Sequence, residues 1–164
     1  MNLSFLQSPH GEEPVIVAGL FKASPDRVFR AWTDEGEIKQ WFGPGPGGVQ
    51  VAEIDLRVGG NWRFDFGLDS GRRDVLFGQY LEIEIGQHLA FSYAHERTLE
   101  NGHVETTQAS QVSITFEPSG KDTFVRLKHE QIVRLEGRLG VGEGWCGTFA
   151  NLERRLISGV TTIS

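Results

Sequence analysis

Near the C-terminal end of the chain, Trp145, Phe149, Leu152 and Leu156 recur at i, i+4, i+7 and i+11. That spacing places four large apolar side chains on one stripe of an α-helix. Glu153, Arg154 and Arg155 fall off the stripe, and Gly144-Trp145 marks its expected start. Almost everything between Val49 and Glu130 reads as strand and turn. A helix that follows a long run of strands must bury its stripe on the sheet they form. If the sheet curves around the helix, the space between them is a pocket. The pattern therefore locates a site before it names a ligand or a reaction.

The 164 residues suffice for one domain that buries roughly 70% of its unfolded surface. Residues 1–13 are polar and read as a loose arm, which leaves 14–164 as a single domain. A net charge of −6 argues against nucleic acid or an anionic membrane as a partner. Cys146 is the only cysteine, so an intramolecular disulfide is excluded and a cytoplasmic location fits. Met1 to Pro14 has neither a basic start nor an apolar core, so no signal peptide is expected there. No window approaches about 18 apolar residues, so no membrane span is expected.

Val15 to Phe21 reads as a strand. Ser24-Pro25-Asp26 then gives a helix start, with Ser24 as the cap and Pro25 at the first helical position. Val28 and Trp32 share a face of this helix. Thr33 or Asp34 caps a second short helix that presents Ile38, Trp41 and Phe42, and Gly43 to Gly48 stops it. Six strands are expected at about 49–56, 61–67, 74–84, 88–97, 104–117 and 122–130. The separators are Gly59-Gly60, Ser70-Gly71, Gly86, Asn101-Gly102 and Ser119-Gly120. Short connections between successive strands imply an antiparallel sheet.

At the first hairpin a three-residue loop, Val58 to Gly60, would pair Leu56 with Trp62 and Ile54 with Phe64. It would set Asp55 opposite Arg63 on the other face. A two-residue loop would mix apolar and charged residues on one face, so alternation selects the longer loop and a left-handed glycine within it. The same alternation puts Val112, Ile114 and Phe116 on one inner face with Val125, Leu127 and His129, joined by Phe91 and Tyr93.

Three stretches together carry a resemblance. The first runs from Phe21 through Ser24-Pro25 and Val28-Phe29-Arg30-Ala31-Trp32-Thr33 to Trp41-Phe42-Gly43-Pro44. The second is Asp55-Leu56-Arg57-Val58-Gly59-Gly60-Asn61-Trp62-Arg63-Phe64. The third is Leu127-Lys128-His129-Glu130, followed by Gly144-Trp145 and Leu152. Over roughly residues 14–158 the chain resembles the START-like (SRPBCC) superfamily. The branch is the one similar to the C-terminal domain of the heat-shock-protein-90 ATPase activator homologue. The resemblance implies an α+β helix-grip fold, with a curved antiparallel sheet around a long C-terminal helix and a deep pocket between them. Superfamily members bind lipids, sterols, polyketides and hormones, and some are cyclases or hydrolases. The resemblance implies no catalytic set shared across this branch, and no counterpart of the second domain of the longer co-chaperones is expected here. The segment 43–48 is expected near the pocket mouth.

Among chemical constellations, Gly43 to Gly48 superficially resembles a phosphate-binding loop, but Pro44 and Pro46 have no N–H to offer and the segment follows a helix. His10, His88, His95, His103 and His129 show no metal-ligand spacing. With Asn101-Gly102 as the turn, His103 is expected opposite Glu100 and His95 opposite Gln108, both on the surface. His129 is the one catalytic candidate, since burial on an apolar face disfavours its charged form. Cys146 would sit at the start of the last helix, where the helix dipole could lower its pKa. No histidine lies nearby in sequence to activate it, and packing or idle exposure is the expected role. The expected ligand-binding set is Trp41, Trp62, Phe64, Tyr80, Phe91, Tyr93, Val112, His129, Trp145 and Phe149, an apolar lining with few polar groups. The expected function is non-catalytic binding of a small hydrophobic or aromatic molecule, with no metal and no cofactor. The alternatives are a cyclase- or hydrolase-type enzyme that uses His129, and a co-chaperone-like protein-binding module. A homodimer is compatible with each of these readings.

Overall fold

A computed structural model describes residues 5–9, 11–43, 48–133 and 135–161. In chain order its elements are β1 (Phe5–Gln7), β2 (Val15–Phe21), α1 (Pro25–Thr33), α2 (Glu35–Trp41), β3 (Val51–Ile54) and β4 (Asn61–Asp69). They continue as β5 (Arg72–Glu84), β6 (His88–Thr98), β7 (Val104–Thr106), β8 (Ser110–Ser119), β9 (Asp122–Glu130) and α3 (Leu135–Thr161). The strands form one antiparallel sheet in the order β1-β2-β9-β8-β6-β5-β4-β3, with β7 paired to β6. The expected α+β architecture is the one observed: a curved antiparallel sheet, two short helices between its strands, and a long C-terminal helix on its inner side.

The short helices start where side-chain chemistry dictates. Ser24 Oγ accepts the Arg27 N–H at 3.3 Å, and Asp34 Oδ1 accepts the Glu37 N–H at 3.0 Å. Asp34 rather than Thr33 is therefore the second cap; Thr33 Oγ1 donates back to Phe29 O at 2.9 Å. Glu37 ties three helices together, with Arg27 Nη2 and Arg155 Nη2 each 3.0 Å from its carboxylate. Burial works to raise the Glu37 carboxyl. The Arg155 hydrogen bond and the charges of Arg27 and Arg155 outweigh it and hold the group below its usual range.

Helix α3 begins at Leu135, ahead of the Gly144 expected from the stripe. Gly137, Gly140, Gly142, Gly144 and Gly147 conceal its first half, because each glycine in a helix interior costs about 1 kcal/mol relative to alanine. Gly142 has a steric reason: a Cβ there would lie 2.9 Å from Gln7 Nε2 and 3.7 Å from Val15 Cγ1, so its absence lets the helix approach β1 and β2. At Gly140 a Cβ would meet nothing within 4 Å. Gly140→Ala should accordingly stabilise the fold by about 0.5–1 kcal/mol in urea denaturation. A neutral or negative effect would mean that this stretch is not a helix in solution.

Four sequence expectations change. Residues Phe5–Gln7, placed in a loose arm, form an edge strand on β2. The anchor is Phe5, buried against Phe21 and Phe149 with ring centroids 5.7 and 5.6 Å away, where Gly19 opposite leaves room for its ring. The first hairpin pairs Ile54 with Trp62 and Ala52 with Phe64, two residues away from the expected register. The apolar parity is kept but the loop is longer, because its tip pairs with β5: Gly59 N–H donates to Tyr80 O, and Tyr80 N–H to Gly60 O. Leu56 lies outside the ladder at 38% exposure. Asp55 bonds Arg57 at 2.8 Å, and Arg63 lies near Glu53 and Asp65. Gly59 does take the left-handed conformation, at φ 84°.

The third change is that the strand expected over 104–117 divides into β7 and β8, both paired to β6. At the break, Thr107 N–H donates to His95 O while His95 N–H donates to Thr107 Oγ1. The fourth follows from it. His95 sits opposite Thr107 rather than Gln108, and its ring is half-buried against Asp74, with Nε2 2.8 Å from Oδ1.

Candidate functional site

The inner face forms as the alternation dictates. Val112, Ile114, Phe116, Val125, Leu127 and His129 are all buried. Phe91 opposes Val112 across β6 and β8, and Val112 opposes His129 across β8 and β9. The α3 stripe lies on this face: Trp145, Phe149, Leu152 and Leu156 are each buried. The Tyr93, His129 and Trp145 rings meet there, with centroids 4.7 Å apart for Tyr93–His129 and 6.0 Å for Tyr93–Trp145.

His129 is held by directional bonds on both ring nitrogens. Trp145 Nε1–H can only donate, and it lies 3.0 Å from His129 Nδ1. Nδ1 must therefore carry the lone pair and Nε2 the hydrogen. Nε2–H then donates to Ser110 Oγ at 2.7 Å, and Ser110 Oγ–H donates to Tyr93 O at 3.2 Å. The relay is complete, with each hydrogen assigned by the need to match donors to acceptors. Burial pushes the ring down to about 3 from 6.5, so it is neutral under ordinary conditions. Ser110 shares the parity of Val112 and Ile114, a signal in the sequence that would have identified it as the histidine's partner.

Cys146 lies well inside α3 rather than at its first turn. Burial, and then the nearby Glu143 charge, push its thiol up, opposite to what a dipole at the first turn would do.

At the other end of the aromatic cluster the core is incompletely filled. A void of about 10 Å³ is lined by Trp32, Phe42, Trp62, Phe64, Tyr80, Leu89 and Phe91. It has room for about one water molecule. Four residues of the expected ligand-binding set border it: Trp62, Phe64, Tyr80 and Phe91. Trp41, Tyr93, Val112, His129, Trp145 and Phe149 are packed in the surrounding core and do not line it. Trp32, Phe42 and Leu89 line it and were missing from that set. The first two are apolar positions on helix faces, and Leu89 shares the parity of Phe91. The expected pocket mouth cannot be compared, since residues 44–47 lie outside the described residues.

One wall of the void, Trp62, is held by a bond that crosses the sheet. Trp62 on β4 lies opposite Gly78 on β5, and its Nε1–H reaches across to Ser92 O on β6 at 3.2 Å. A Cβ at Gly78 would fall 1.9 Å from Ser92 O and 2.9 Å from the indole nitrogen, so only glycine permits the crossing. Trp41 Nε1–H donates to Ala31 O at 2.9 Å while its ring packs edge-on to Trp32 at 4.8 Å. Among the described residues, Trp32 Nε1 is buried with no hydrogen-bond partner, as are Arg27 Nη1 and Arg138 Nε. A buried donor left unpaired costs about 1–3 kcal/mol. Burial, and then the Glu35 charge, push the Tyr80 phenol up, so it stays protonated.

A second concavity, about 630 Å³ and open, lies on the outside between Glu82, Glu84, His88 and Glu117. Its acidic rim makes it unsuited to an apolar molecule. Among the described residues no group of three or more His, Cys, Asp or Glu side chains could hold a metal ion. No helix among them is long and apolar enough to cross a membrane.

Solved structures share this architecture. A protein from Rhodobacter sphaeroides matches with a TM-score of 0.77 at 16% identity, over 98% of this chain and 99% of its own. Protein NE0264 from Nitrosomonas europaea matches with a TM-score of 0.72 at 19% identity, over 98% and 99% of the two chains. DynU16, a protein of the dynemicin biosynthetic locus, matches with a TM-score of 0.71 at 22% identity, over 90% of this chain and 48% of its own. These identities establish a shared fold. No curated protein matches the sequence significantly. The family model of activator of Hsp90 ATPase homolog 1-like proteins matches residues 22–156, which spans α1, α2, strands β3 to β9 and the buried stripe of α3. The chain belongs to that family, within the START-like superfamily.

Proposed function

We propose that this protein binds a small apolar or aromatic molecule in the space between α1, α2 and strands β4, β5 and β6, without chemistry at His129. The observation that carries the reading is the void bordered by Trp32, Phe42, Trp62, Phe64, Tyr80, Leu89 and Phe91. Its lining is six aromatic rings and a leucine, with no charged side chain. Ligand sites are apolar concavities with a few fixed polar groups, and apolar space inside a protein takes up apolar guests. At about 10 Å³ the void has room for about one water molecule, so binding requires the lining to open. A ligand enters by displacing lining side chains.

Catalysis by His129 has geometry against it. A general base needs a lone pair within reach of the substrate, and the lone pair on Nδ1 is occupied by the Trp145 indole.

Titration with the uncharged dye N-phenyl-1-naphthylamine tests the reading. Dye fluorescence should rise and tryptophan emission should fall on addition to the native protein. Leu89→Phe, which fills the void from β6, should weaken dye binding at least tenfold. The variant should still melt cooperatively, with overpacking itself costing about 1–3 kcal/mol. Equal binding to the filled variant, or no binding to the native protein, would remove the basis for a ligand site here. Where the dye binds as expected, native mass spectrometry of freshly purified protein identifies the natural occupant by its mass.

A further inference from the structure

Four tryptophans stand in the core, and three of their indole N–H groups have protein acceptors. Trp41 Nε1–H bonds Ala31 O, Trp62 Nε1–H bonds Ser92 O, and Trp145 Nε1–H bonds His129 Nδ1. Trp32 is equally buried, at 3% exposure, and its Nε1 has no partner among the described residues. It is also the tryptophan of α1 that borders the void. Buried N–H groups are paired as a rule, and an exception calls for an explanation. A group destined for a ligand has one: it stays unpaired until an acceptor arrives.

The rest of the lining restricts that acceptor. Among the described residues no charged side chain borders the void, so none of them balances an ionic ligand. The Trp62 donor is already spent on Ser92 O. The remaining walls are aromatic faces and edges from Phe42, Phe64, Tyr80 and Phe91, which suit a flat ring system. We propose that Trp32 Nε1–H is the recognition donor of this site, and that the ligand is a neutral, flat, largely apolar molecule carrying a carbonyl oxygen at its edge. This rests on the ligand-binding reading above and adds the chemical class.

A pair of probes differing in one atom group tests it. 2-Acetylnaphthalene presents a carbonyl oxygen; 2-isopropenylnaphthalene has the same shape with a methylene in its place. The native protein should bind the ketone about three- to tenfold more tightly, the range of one net hydrogen bond. In Trp32→Phe, which keeps an aromatic ring but has no donor, the two affinities should become equal. On the native protein alone, the Trp32 indole N–H resonance should move downfield with the ketone and not with the alkene. That spectrum decides the matter even if the variant fails to fold.

Equal binding of both probes to the native protein would overturn the donor assignment and leave the apolar site intact. A ketone preference that persists in Trp32→Phe, with no shift of the indole resonance, would do the same. Binding of neither probe would overturn both.

Discussion

Phe149→Ala should lower the free energy of unfolding by about 3–5 kcal/mol, the range for deleting a buried aromatic ring. Phe149 is fully buried. Its ring meets those of Phe5, Phe21 and Trp32 at 5.6, 5.4 and 6.3 Å. These neighbours belong to β1, β2 and α1, each held by its own backbone bonds, so the hole cannot close by a simple shift. Ile157 on the same helix is 47% exposed, and Ile157→Ala should change stability by no more than about 0.5 kcal/mol. Urea denaturation of the two variants measures the contrast. A loss below about 1 kcal/mol for Phe149→Ala would mean that α3 is not docked on the sheet by this stripe.

The second large effect is a dependence of stability on pH. His129 titrates at about 3 in the fold against 6.5 in an unfolded chain, because burial penalises its charged form. The folded pKa is depressed, so the native state favours the neutral ring. The associated stability is complete above about pH 6.5 and declines as pH falls toward 3. The slope approaches about 1.4 kcal/mol per pH unit. Between pH 6.5 and 4.5 the loss should reach about 2–3 kcal/mol, before the lowered carboxyls of Glu37 and Asp74 contribute in the same direction at greater acidity. His129→Gln has no proton to gain. It should be less stable at neutral pH and much flatter across this window. Parallel curves for the two proteins would show that the acid sensitivity arises elsewhere.

The stripe of Trp145, Phe149, Leu152 and Leu156 was legible because helical spacing and burial coincide in it. The inner face was legible for the corresponding reason in strands, the period of two through Val112, Ile114, Phe116, Val125, Leu127 and His129. What escaped was set by partners distant in sequence. The first half of α3 is rich in glycine, of which Gly142 lets the helix pass close to β1 and β2, and local propensity argues against a helix there. The first hairpin has the apolar parity read from its sequence but a longer loop, since β5 captures Gly59 and Gly60. Parity cannot separate registers that differ by two residues. In the site, aromatic composition identified the right class of side chain. It could not indicate which rings would border free space and which would seal against one another. Trp32 and Trp41 both lie on apolar helix faces, yet only Trp41 finds a carbonyl for its indole.

The contact between Trp145 and His129 has a consequence for how α3 sits. An apolar stripe adheres without strong directional preference. Grease alone would tolerate small rotations and displacements of a helix about 40 Å long. A hydrogen bond weakens steeply when its angle is spoiled, and moving α3 by one residue would swing Trp145 about 100° around the axis. The indole then acts as a peg in a single hole, bored by Nδ1 of a ring that Ser110 keeps from turning. The greasy face supplies adhesion and the peg supplies registry, so one axial setting is selected from several that would bury nearly the same surface.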